Sequence, residues 1–176
     1  MQGEPIRLKE NCAHRGPRVS FEQVKATFLH DNAATPERNA WPLGALEVAN
    51  QQFGDWTQVV LTPEEVLAVL LPQHNHGVNL VPAAGSSVSE AISKLDFVDP
   101  LTECYNRIQQ FFGTLTTLVF LSMAPMNDPR YFDYTGLISR GCKGLTHLDG
   151  LHRLVAWGRE NKRDVPAYVA GLTFGA

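Results

Sequence analysis

The chain has 176 residues, of which 44% are hydrophobic and 19% charged, and a formal net charge of -3. This length suits one domain with a substantial core, and the composition is that of an ordinary globular protein. The charge excludes a global electrostatic attraction to DNA or to anionic membranes and leaves only local basic clusters, such as Arg159 with Lys162 and Arg163.

Three cysteines, Cys12, Cys104 and Cys142, are odd in number and widely spaced. That pattern argues against a disulfide framework and against a structural zinc site. No apolar run approaches the roughly 20 residues that span a bilayer, and the N-terminus lacks a signal-peptide core. A cytoplasmic protein is expected, with residues 1–18 as a flexible arm and residues 19–176 as a single domain.

Along the chain, Ser20 with Gln23 makes a capping signature, and Phe21, Val24, Phe28 and Leu29 follow it at helical spacing. Asp31 to Asn39 is a polar loop. Leu43 to Phe53 can form a second helix, and Trp56 to Leu61 a strand. Thr62-Pro63-Glu64-Glu65 combines a cap, a proline at the first helical position and a box-closing glutamate. The helix it starts is apolar nearly all round from Val66 to Leu71 and stops at Pro72. Ser87-Val88-Ser89-Glu90 repeats the capping logic for a short helix reaching Leu95. Leu101, Cys104, Tyr105, Ile108, Phe111 and Phe112 trace one helical face.

Leu115 to Ser122 reads as a central strand. Ala124 to Gly136 is long enough for a lid or binding loop, in which Tyr131, Phe132 and Tyr134 either stack on a substrate ring or anchor the loop. Leu145 to Leu148 is a strand, Leu151 opens a helix and Val165 to Val169 is the last strand. The expected fold is α/β (α+β), one compact domain around a small mixed sheet flanked by helices.

The turn Asp149-Gly150-Leu151-His152-Arg153 carries the most chemistry. Helix N-termini offer free N–H groups and a positive dipole end to phosphate, and arginine supplies a planar fork. With its helix and the strand Val165 to Val169, this turn resembles the phosphate-binding core of the ParB/sulfiredoxin superfamily, whose free-serine kinases carry Asp-Gly-His-His-Arg. As a whole the chain is also similar to small proteins of actinomycete biosynthetic loci. The resemblance implies catalytic roles for Asp149 and His152 and cofactor contacts from Gly150, His152 and Arg153. ATP with Mg2+ is the implied cofactor, for phosphoryl transfer to a small metabolite.

Leu151 departs from the pattern. Sulfiredoxin chemistry needs a cysteine there, so sulfinic-acid reduction is not expected. ParB proteins follow their box with a helix-turn-helix reader that is missing here, so nucleic acid is not an expected partner. Two alternatives stay open: acid–base catalysis by Asp149 and His152 on a biosynthetic intermediate without a nucleotide, or a nucleotide-sensing module. The expected partner is a small-molecule substrate, with neither nucleic acid nor membrane, and a homodimer is left open.

In the plainer reading of the turn, Asp149 is an N-cap; in the ligand reading, Asp149→Asn should spare binding, cut turnover and, since asparagine caps about as well, change stability little. No metal site is assigned, although His147, Asp149 and His152 have a spacing that permits one. Glu64, Glu65 and Glu90 are read as capping residues and remain nominees for a base. His74-Asn75-His76 reads as a solvated turn.

Overall fold

The computed structural model describes residues 15–74, 78–114 and 117–172. Its helices start where short polar side chains can satisfy the orphan N–H groups of a first turn. Ser20 Oγ accepts from Gln23 N at the head of α1 (Phe21–Asp31). Full capping boxes open α3 (Pro63–Ala68), through Thr62 and Glu65, and α4 (Val88–Leu95), through Ser87 and Glu90. Thr102 caps α5 (Glu103–Gln110). Each such cap contributes about 1 kcal/mol. The remaining helices are α2 (Ala40–Phe53), α6 (Thr135–Ser139) and α7 (Leu151–Glu160).

The strands are β1 (Arg15–Val19), β2 (Trp56–Leu61), β3 (Leu70–Leu71), β4 (Ser86–Ser87), β5 (Val119–Ser122), β6 (Thr146–Asp149) and β7 (Val165–Ala170). They form one mixed sheet of seven strands in the order β1-β2-β7-β5-β6-β3-β4. The pairs β5–β7 and β3–β6 are parallel and the other four antiparallel.

Alternation along the strands sorts side chains into two cores. Val59, Leu61, Val119, Leu121, Val165, Ala167 and Val169 join α3, α4, α5 and α7 on one face. Trp56, Phe120, Leu148, Tyr168 and Ala170 join α1, α2 and α6 on the other. The result is an α/β domain of three layers, as a sheet buried on both faces requires. Helix α7 is its pivot, with Leu151 through Gly158 all buried. Gly158 lets α7 approach α4, since a Cβ there would meet Val88 Cγ1 at 2.8 Å and Ile92 Cδ1 at 3.0 Å.

Several expectations need correction. The run from Val66 to Leu71 is not all helix: α3 ends at Ala68, and Leu70 and Leu71 leave it to pair with β4 and β6. An apolar run this short does not distinguish helix from buried strand until its partners are known. Arg15 to Val19, whose first four residues fall within the expected arm, pair with β2, and residues 1–14 lie outside the described residues. Strand β5 starts at Val119, and residues 115–116 of the expected strand are outside the described residues. The segment from Ala124 to Gly136 is pinned to the core. Tyr131 and Tyr134 are buried, Tyr131 donates to Trp41 O, and Tyr134 donates to His147 O at 2.7 Å. Only Phe132 of the three aromatics is exposed, at 68%.

Candidate functional site

Strands β3 and β6 run parallel as neighbours, so the segments leaving them emerge at the same end of the sheet. Carboxyl ends of strands are where α/β sheets place ligands. His74 lies three residues past β3, on a bridge with Val81 in which each backbone N–H donates to the other residue's carbonyl at 3.0 and 3.2 Å. Asp149 ends β6, and His152 lies in the first turn of α7. Cys104 lies in the first turn of α5.

These elements bring two imidazoles onto one thiol. Cys104 Sγ is 3.5 Å from His152 Nε2 and 3.6 Å from His74 Nε2, and one ligand atom from each of the three residues lies within 4.8 Å of the others. The two imidazole rings meet edge to face, with centroids 5.2 Å apart. Cys104 and His152 are buried, and burial pushes the Cys104 thiol above its ordinary pKa.

Beside this trio stands a buried ion pair. Arg153 Nη2 donates to Asp149 Oδ2 at 2.7 Å, and Nη1 donates to Thr117 Oγ1 at 2.6 Å and to Leu118 O at 2.7 Å. The Arg153 side chain is 8% exposed and that of Asp149 20%. Arg153 therefore directs its fork to Asp149, Thr117 and Leu118. Asp149 is not an N-cap. Gly150 occupies that position at φ 103°, with no side chain capping α7. The expectation that Asp149→Asn spares stability falls with that role.

Two further charges border the site. Arg107, one turn beyond Cys104 on α5, makes no side-chain hydrogen bond or ion pair among the described residues. Burial and then Arg38 press its guanidinium below the usual range, while Glu103, Asp149 and Cys104 support the charge. Asp31, at the end of α1, has its carboxyl raised by burial and lowered by Arg153.

His147 is buried, and its Nδ1 has no hydrogen-bond partner among the described residues. Burial, with His74 and Arg153 nearby, holds its pKa at about 3, so the ring is neutral. The trio uses His74 and Cys104 with His152 instead of the His147, Asp149, His152 set that local spacing permits. Cys104 is 30 residues from His74 and 48 from His152, so no local motif could announce the site. Glu65 and Glu90 are committed to their capping boxes, and each Oε2 accepts from the cap backbone at 2.8 Å. Asn75 and His76 lie outside the described residues. A shallow surface depression lined by Thr62, Pro63, Glu64 and Asn161 contains none of the site's groups.

Residues 15–176 match a family described as a family of unknown function, DUF6309. The chain belongs to DUF6309. The match takes in every site residue just described, from Asp31 to Arg153. No curated protein and no solved structure matches this DUF6309 chain.

Proposed function

We propose that the protein is an enzyme that performs acid–base chemistry on a small anionic metabolite at the shared end of β3 and β6. The observation that carries this reading is the convergence of His74 and His152 on the Cys104 thiol, beside a partly exposed carboxylate held by Arg153. Proton-transferring groups of different kinds, gathered from four separate segments, are what such catalysis requires. Asp149 accepts a proton from the substrate, and the His152–Cys104 pair returns one. Arg107 supplies the cation for a carboxylate or phosphate on the substrate, since no protein carboxylate pairs with it among the described residues.

Phosphoryl transfer from ATP with Mg2+, which the ParB/sulfiredoxin-like turn implies, is the second reading. One observation favours it: Gly150 leaves the first turn of α7 without a side-chain cap, as a phosphate-binding helix start would be. Against it, a phosphate reaching Arg153 must first displace Asp149 from a buried pair.

The test is a turnover screen by mass spectrometry on extracts fractionated for small anions, with wild type, Arg107→Gln and Asp149→Asn. The first reading expects one metabolite to be consumed without added nucleotide, at a higher KM in Arg107→Gln and with lost kcat in Asp149→Asn. Consumption only with ATP and Mg2+, coupled to ADP formation, would replace it with the second reading.

A further inference from the structure

We infer that His74, Cys104 and His152 form a binding site for a single zinc-class divalent ion. Three donors with the right chemistry already stand at the right separations. Zinc takes thiolate sulfur at about 2.3 Å and imidazole nitrogen at about 2.0 Å, so a tetrahedral site sets sulfur and nitrogen roughly 3.5 Å apart. The observed Sγ to Nε2 distances are 3.5 and 3.6 Å. The remaining adjustment is between the two imidazoles, whose ring planes stand at 81° to each other.

The three donors sit on backbone that is already fixed. Cys104 follows a Thr102 cap whose Oγ1 accepts from Tyr105 N. His152 is anchored by α7, whose next residue, Arg153, is tied to Asp149, Thr117 and Leu118. His74 is held by both hydrogen bonds of its bridge to Val81. Two imidazoles and one thiolate select borderline-soft ions such as Zn2+ and Co2+ over Mg2+ or Ca2+, which take oxygen. On binding, the thiol S–H breaks and a sulfur–metal bond forms, and the proton leaves to solvent, so uptake releases one proton per ion from Cys104. Three protein donors leave a fourth position for water or a substrate oxygen, the pattern of catalytic rather than structural zinc sites.

The inference revises the acid–base reading at one point, because an ion-bound thiolate and imidazole cannot return the proton assigned to the His152–Cys104 pair, which would then come from water at the fourth position. The test uses no substrate, so it can fail while Asp149 and Arg107 keep their assigned roles. The full chain is stripped with chelator and titrated with Co2+ alone. Expected are one ion per chain, a near-ultraviolet thiolate-to-cobalt charge-transfer band, and loss of both signals when Zn2+ is added. Cys104→Ser should abolish the band, His152→Gln should weaken Co2+ binding by at least about 100-fold, and Cys142→Ser should change nothing. Circular dichroism establishes that each variant is folded. Should Cys104→Ser fail to fold, the wild type still decides, because Zn2+ must protect Cys104 from alkylation, read on its own peptide by mass spectrometry. Absence of a charge-transfer band in the wild type, a band that survives in folded Cys104→Ser, or equal alkylation of Cys104 with and without Zn2+ would each overturn the site.

Discussion

Asp149→Asn tests the internal ion pair most directly, because it removes one charge and almost no volume. In the native protein the Arg153 guanidinium is nearly buried and meets the carboxylate at 2.7 Å. With charge centres about 4 Å apart and an effective dielectric of about 20, the attraction is about 4 kcal/mol. Two effects reduce the loss. The asparagine oxygen can still accept from Nη2, which retains on the order of 1 kcal/mol. Asp149 is one-fifth exposed, so water already screens part of the attraction and returns some hydration when the charge is removed. The expected net loss is about 2–3 kcal/mol, or a fall in Tm of roughly 5–10 °C for a domain of this size. Urea unfolding followed by far-ultraviolet circular dichroism should show a lower midpoint at an unchanged slope. Arg153→Met alone should cost at least as much, since it leaves Asp149, Thr117 and Leu118 without their donor. The double variant should be more stable than the sum of the single losses predicts. A loss below about 0.5 kcal/mol in Asp149→Asn would mean that the pair behaves like an exposed one and would refute the argument.

Three further outcomes follow from the packing. His147 has a folded pKa of about 3 against about 6.5 unfolded. The unfolded chain therefore binds the extra proton between those values, and the stability this neutral ring contributes, complete above pH 6.5, drains as pH falls toward 3. The slope reaches at most about 1.4 kcal/mol per pH unit, and His147→Phe should flatten it in urea titrations run from pH 7 to pH 4. Gly150→Ala should cost about 2 kcal/mol or more by thermal melt, because the residue sits at φ 103° and a Cβ would meet Val119 Cγ1 at 2.8 Å. Ser87→Ala should cost only about 1 kcal/mol, since it removes one arm of a surface capping box; a loss above 3 kcal/mol would mean that the short strand β4 depends on that hydroxyl as well.

What could be read from the sequence were the features determined by neighbours a few residues apart. The caps at Ser20, Thr62 and Ser87 are local chemistry, and each becomes a helix start. The strands β2, β6 and β7 are bounded by turn residues and fall close to their expected limits. Leu70 and Leu71 were unreadable as a strand because their partners, Ser86, Ser87 and Thr146, are remote in the chain. The site divided the same way. Asp149 and His152 could be nominated from one turn, whereas the place of Cys104 on an apolar helix face disguised it as a core residue. The partners of Arg153 are hidden for a related reason: Thr117 and Leu118 lie 36 and 35 residues away in the chain.

The position of β7 has a consequence for how the molecule is made. It lies between β2 and β5, pairing Trp56 with Ala170 on one side and Val119 with Ala167 on the other. Among the described residues every other strand precedes it in the chain. The pair β1–β2 and the group β5, β6, β3 and β4 are therefore joined only through β7, so the seven-stranded sheet cannot close before residues 165–170 have been made. Assembly is a late insertion that depends on contacts distant in sequence, a slow kind of topology. Until β7 is in place, the sides of β2 and β5 that it covers are the edges on which a chaperone or a second nascent chain could act.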